Sequence, residues 1–299
     1  MIQIHCKSQP AAVGAALAAF LIWGLSPVYY RAAGIASASE ILAHRVVWSV
    51  LFTLCLITLS GQLRALLNLF RNARLLATLS ISALLVSLNW LAFIWGVNNA
   101  RALEASMGYF IFPILMVVLG RIFFDERLSR WQMLALLLVV LGVLNLLLRQ
   151  QQLPCLALLL AMSMGLYSLV RKQAPVDALL GLTVECLLLF PLALAYLLSL
   201  RHSGELVFGT LGSGFDLLLA AAALMTALPL MLYTSATRLL RLGTVGLLQY
   251  INPSCQFLLA VFLFNEPFGR SNLYTFLLIW SGLAVFTLDS RRRLRKQYA

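Results

Sequence analysis

Residues 105–124 read Ala-Ser-Met-Gly-Tyr-Phe-Ile-Phe-Pro-Ile-Leu-Met-Val-Val-Leu-Gly-Arg-Ile-Phe-Phe, an apolar run with one charged side chain, Arg121, near its end. A helix of about 20 residues crosses the ~30 Å hydrocarbon core of a bilayer, so this run is a candidate span. A second run, 243–264, answers it 140 residues later: Ile111 meets Ile251, Pro113 meets Pro253 and Phe124 meets Phe264. The same ungapped register brings Glu126 onto Glu266, Arg130 onto Arg270 and Gly142 onto Gly282. Leucine matches mean little in so apolar a chain. Shared proline, glutamate, arginine and glycine mean more.

Outward from these two runs, eight further apolar stretches lie between polar punctuation: 11–31, 41–60, 75–97, 131–148, 154–170, 181–200, 215–237 and 272–289. The ten together consume most of the 299 residues and leave short loops. Composition agrees: 62% of the chain is AVILMFWYC and 11% is charged, with mean hydropathy +0.93. A soluble domain has roughly 45–50% apolar and about 25% charged residues, enough to cover its core. Disorder needs low hydrophobicity and is excluded on the same ground. The expected class is therefore an all-α polytopic membrane protein with ten transmembrane helices. The first span follows Lys7 and precedes Ala36-Ser37-Ala38, as a signal peptide would, but its apolar run exceeds the ~7–15 residues of an h-region. It is read as retained.

The net charge of +12 suggests nucleic acid only in a soluble protein, and no aromatic-basic motif supports that here. Basic loops explain it better. With both termini cytoplasmic, the inside segments hold 16 of the 22 basic residues, including Arg64, Arg71, Arg74, Arg171, Lys172 and the run Arg291–Lys296. The outside segments hold five: Arg31, Arg101, Arg149, Arg201 and Arg270. That asymmetry sets the orientation. The units are then 1–150 and 151–290, five helices each, followed by a basic cytoplasmic tail, 291–299. Five is odd, so the second unit enters the membrane from the opposite side. Two inverted five-helix repeats are an architecture of secondary transporters, which bind solutes near the midplane between the repeats.

Several residue sets are similar to those of the RarD group of the EamA family, in the drug/metabolite transporter superfamily. They are Trp23-Gly24, Glu40–Arg45 with Trp48-Ser49, Asn89-Trp90, Leu103–Phe110, Leu169–Lys172, Glu185, Ala236–Arg238 and Gln249–Pro253. The resemblance covers essentially the whole chain and departs at Asp125, where members often have glycine. It implies a RarD-type permease with a central cavity lined by the first four helices of each repeat, exporting small metabolites. Members are associated by name with chloramphenicol sensitivity.

Charges inside a span are costly, so they face a cavity or a partner. Arg45 and Glu185 are such charges, 140 residues apart. On one reading Arg45 anchors an anionic group and Glu185 is a proton or substrate-amine site. On the other, both snorkel to headgroups or pair locally, Arg45 with Glu40 or Glu104. Glu40 and His44 share a helix face at i, i+4 and form either a bonded pair or a pH sensor. For the substrate cavity the candidates are Trp23, Asn89, Trp90, Tyr109, Gln249 and Tyr250, where buried amides need partners and aromatic faces take flat solutes. Tyr29, Tyr30 and Trp131 read instead as interfacial belt residues. Pro113 and Pro253 are expected mid-helix, as kinks in counterpart helices.

The five cysteines are scattered without a C-x-x-C, and His5, His44 and His202 are far apart, so no metal site is expected. With no P-loop, G-x-S-x-G or H-E-x-x-H, neither an enzyme nor a cofactor is expected. The expected partners are a small-molecule substrate and the lipid bilayer of a bacterial inner membrane, with no nucleic acid; a homodimer is left open. The competing function is a non-transporting membrane sensor or assembly protein.

Overall fold

A computed structural model of the chain describes residues 8–99, 101–126, 128–150, 155–263 and most positions of 273–289. All regular structure among them is helical. The helices are α1 (Gln9–Ala33), α2 (Ala38–Leu59), α3 (Leu63–Phe70), α4 (Ala73–Asn98), α5 (Ala102–Phe124) and α6 (Arg130–Gln150). After 151–154 come α7 (Cys155–Gln173), α8 (Ala178–Ser203), α9 (Ser213–Ala220), α10 (Ala222–Leu239), α11 (Leu242–Leu248) and α12 (Ile251–Phe262). Further helical residues lie within 273–289.

Seven helices are long and apolar enough to cross a membrane: α1, α2, α4, α5, α7, α8 and the near-continuous Ser213–Leu239 formed by α9 and α10. These seven correspond to seven of the ten expected spans. Of the remaining three, 131–148 falls within α6, Arg130–Gln150. The span 243–264 is two helices, α11 and α12, and 272–289 falls only partly among the described residues. Phe264, Glu266, Arg270 and the tail 291–299 lie outside them. Outward leucines such as Leu51, Leu84, Leu192 and Leu217 are more than half exposed. Such an apolar surface fits lipid as its solvent.

Helix starts recur at the 140-residue interval. Ala38 and Ala178, Ala73 and Ser213, and Ala102 and Leu242 each begin helices. The caps recur too: Ser37 accepts the Glu40 amide at the start of α2, and Asp177 accepts the Leu179 amide at the start of α8. α1 lies on α10 and α12, α7 lies on α4 and α5, and α2 lies along α8. The start of α2 meets the end of α8, where Ala43 and Val46 cluster with Ala193 and Tyr196.

The break in the ninth span has a local cause. Pro253 has no N–H to donate to the carbonyl of Gln249, four residues back, and its ring crowds that carbonyl. The chain instead makes an i→i−3 bond, Asn252 N to Gln249 O at 2.9 Å, and α12 starts at Ile251. Pro253 thus sits in the first turn of α12 rather than mid-helix, and the interruption falls at Gln249-Tyr250. Pro113, by contrast, lies inside an unbroken α5. Close approach is permitted at Gly24, where a Cβ would come within 2.7 Å of Cys255 Cβ and 3.2 Å of the Asn252 carbonyl. This draws α12 against α1.

Candidate functional site

Pro27 interrupts the hydrogen bonding of α1 and frees the carbonyl of Trp23. Ser26 Oγ donates to that carbonyl at 2.6 Å and Gln256 Nε2 at 3.5 Å, so α1 and α12 share a polar seam. Beside this seam is a cavity. α1 contributes Trp23, Ser26 and Tyr30, and α4 contributes Asn89, Trp90 and Phe93. Arg45 of α2, Tyr109 of α5 and Met164 of α7 complete one side. Gln249 at the helix break, with Asn252 and Gln256 of α12, closes the other. Its free volume is about 30 Å³. That is room for about two waters.

Arg45 dominates its electrostatics. The side chain is 3% exposed, and its guanidinium lies 4.1 Å from the centre of the Trp90 ring. Nη1 donates to Tyr30 Oη at 2.6 Å, and Nε donates to Thr226 Oγ1 of α10. Thr226 Oγ1 itself donates to the Ala222 carbonyl, which fixes its lone pairs toward Arg45. No carboxylate pairs with Arg45 among the described residues, so neither Glu40 nor Glu104 is its partner. Glu104 instead pairs with Arg101 at 2.6 Å and caps α7 at the Leu156 amide.

The neighbouring wall is tied in place. Asn89 Nδ2 donates to the Leu160 carbonyl (3.0 Å) and Ser163 Oγ (3.1 Å), and Tyr109 Oη donates to Asn89 Oδ1 at 3.5 Å. Phe93 packs edge-on between the Tyr30 and Tyr109 rings. Gln249 is buried, and its Oε1 has no hydrogen-bond partner among the described residues.

Of the expected cavity residues, Trp23, Asn89, Trp90, Tyr109 and Gln249 line this space together with Arg45. Tyr250 does not. It is fully buried on the far side of the helix break, donates to the Phe110 carbonyl at 3.2 Å and stacks on the Phe110 ring. Tyr30, read as a belt residue, is buried and bonded to Arg45. Asn252 and Gln256 were missed, although polar side chains at i, i+4 inside an apolar run were the available signal.

The remaining charges lie elsewhere. Glu40 accepts the amides of Val207 (2.9 Å) and Phe208 (3.1 Å), clasping the loop that follows α8. His44 lies 3.9 Å from Glu40 and stacks on Phe208. Glu185 is buried outside the cavity wall, where it accepts from Ser82 Oγ at 2.5 Å and from Tyr167 Oη at 3.5 Å. Its ion-pair partner is Arg171 at 3.5 Å. Arg171, assigned to an inside loop above, is therefore a buried charge of the bundle. Gly181 makes room for it, since a Cβ there would overlap the guanidinium. At the ends of α5 and α7, Lys172 Nζ pairs with Glu126 (3.1 Å), which also accepts the Leu242 amide opening α11. Among the described residues no three His, Cys, Asp or Glu side chains are grouped to hold a metal.

The EamA-like transporter family matches residues 10–148 of the chain. Protein RarD of Salmonella typhi is 44% identical over 282 residues, which cover 94% of this chain and 96% of that protein. An uncharacterized transporter of Vibrio cholerae is 41% identical over 274 residues, covering 92% of this chain and 91% of that one. A protein of known crystal structure, 17% identical, superposes with a TM-score of 0.70 over 95% of this chain and 99% of its own, and so shares the fold. Identity at this level over almost the full length, on a bundle of apolar helices, makes the chain a multi-pass membrane transporter belonging to the EamA-like family, among its RarD-type permeases.

Proposed function

We propose that the protein is a secondary exporter of small metabolites in the bacterial inner membrane, working by alternating access through the cavity around Arg45. Its ten helices form two inverted repeats, 1–150 and 151–290, with both termini in the cytoplasm. The recurrence of helix starts and caps at 140 residues supports the repeat, and the start of α2 lying on the end of its counterpart α8 supports the inversion. The observation that carries the transport reading is the cavity. Helices of both units build it, and it holds one buried guanidinium, aromatic faces and neutral amides.

Arg45 anchors the solute, and Trp23, Trp90 and Tyr109 contact its apolar body. With the volume now near 30 Å³, loading requires one unit to rock against the other. The break at Gln249-Tyr250 and the proline in α5 are the pivots. Toward the periplasm, the Glu40 clasp and Phe208 close the bundle. Toward the cytoplasm, the Lys172–Glu126 pair and the Arg171–Glu185 pair close it, and Glu185 exchanges a proton when that second pair separates.

The test is metabolite profiling of medium from cells with and without the gene, followed by flux of each differing metabolite in proteoliposomes. Saturable flux of at least one is expected. Non-saturating, pore-like flux, or no flux of any, contradicts the proposal.

A further inference from the structure

The cavity wall is asymmetric in charge. Arg45 is its one charged residue, and no aspartate, glutamate or lysine is among the described residues lining it. Among the described residues the guanidinium meets neutral hydroxyls and the faces of Trp90 and Tyr30. A guanidinium keeps its proton inside a protein, so this charge cannot be relieved by titration and can be relieved only by an anion. Planar forks of this kind match carboxylates in particular. A second polar group is also incomplete. Gln249 is 2% exposed and its Oε1 has no partner among the described residues, so a bound solute that offers a donor N–H would satisfy it. Trp23 and Tyr109 supply flat apolar contacts beside these groups.

We infer that the carried solute is an organic monoanion with a carboxylate for Arg45, an N–H for Gln249 and a flat apolar body. N-acylated or aromatic acids fit this description. Amines and quaternary ammonium compounds do not, because they would meet an unscreened guanidinium and no carboxylate. The inference rests on the reading of the cavity as the transport site, and it narrows a broad drug-and-metabolite range to one charge class.

Three probes isolate the charge, since they share a benzamide ring and N–H: hippurate (anion), N-benzoylglycinamide (neutral) and N-(2-aminoethyl)benzamide (cation). Each is titrated into the purified full-length protein in detergent. Quenching of tryptophan fluorescence reports binding, and thermal unfolding confirms that each variant is folded. Saturable quenching by hippurate is expected, at least tenfold weaker for the neutral amide and absent for the amine. Arg45→Gln should weaken hippurate at least tenfold without changing the neutral amide, and Arg45→Lys should fall between. The inference is overturned if the neutral or cationic probe binds as tightly as hippurate. It is equally overturned if hippurate shows no saturable response, or binds Arg45→Gln as well as the parent. None of these results touches the transport reading, which stands or falls on saturable flux of any metabolite.

Discussion

Two arginines, Arg45 in α2 and Arg171 in α7, are buried almost equally, at 3% and 4% exposure. Arg171 has a carboxylate, Glu185, and that carboxylate has Ser82 and Tyr167. Arg45 has hydroxyls and an aromatic face but no counter-charge among the described residues. The first arrangement is neutralised within the chain, so removing one partner strands the other. The second leaves a charge that, on our proposal, the solute completes. Burial alone does not separate an arginine neutralised within the chain from one without a counter-charge among the described residues. The identity of the groups around it does.

The comparison can be broken at several points. The largest effect is expected for Arg171→Gln, which leaves Glu185 uncompensated and should cost about 3–5 kcal/mol of stability. Adding Glu185→Gln should return most of that loss in a double-mutant cycle followed by thermal unfolding in detergent. Equal losses that simply add would show that the pair is not coupled. Gly181→Ala should come next, at roughly 1–3 kcal/mol, because its Cβ displaces the Arg171 guanidinium. Arg171→Leu in the same chain should remove the penalty of the added methyl. Glu40→Gln should cost about 1 kcal/mol by weakening two charge-assisted bonds, seen as faster hydrogen exchange at the Val207 and Phe208 amides. The smallest effect on stability belongs to Arg45→Gln. Because it removes an unpaired buried charge, the unfolding temperature should stay level or rise. A fall like that of Arg171→Gln would make Arg45 structural and end the contrast.

Much of the fold was legible in the chain. The apolar runs that became α1, α2, α4, α5, α7, α8 and the α9–α10 pair are long, and each is bounded by polar residues. Polar side chains inside them are rare enough to stand out. Five of the six expected cavity residues meet in one space for that reason. What remained hidden depends on partners that periodicity cannot supply. Tyr30 lies near the end of α1, where a tyrosine commonly faces headgroups, and only the arrival of Arg45 from α2 shows that it faces inward. Arg171 lies in the last turn of α7 beside Lys172, as a loop charge would, and Glu185 from α8 turns it inward. Tyr250 follows Gln249 directly, yet the turn caused by Pro253 sends the two side chains to opposite sides. A continuous helix would have been misread there whatever the hydropathy.

The most direct test of the account compares saturable proteoliposome flux of a profiled metabolite between the parent protein and Arg45→Gln, with thermal unfolding recorded on the same preparations. The account predicts that flux falls at least tenfold while the unfolding temperature stays level or rises, consistent with loss of a charge-assisted contact to the solute. Undiminished flux in a folded Arg45→Gln protein would contradict it.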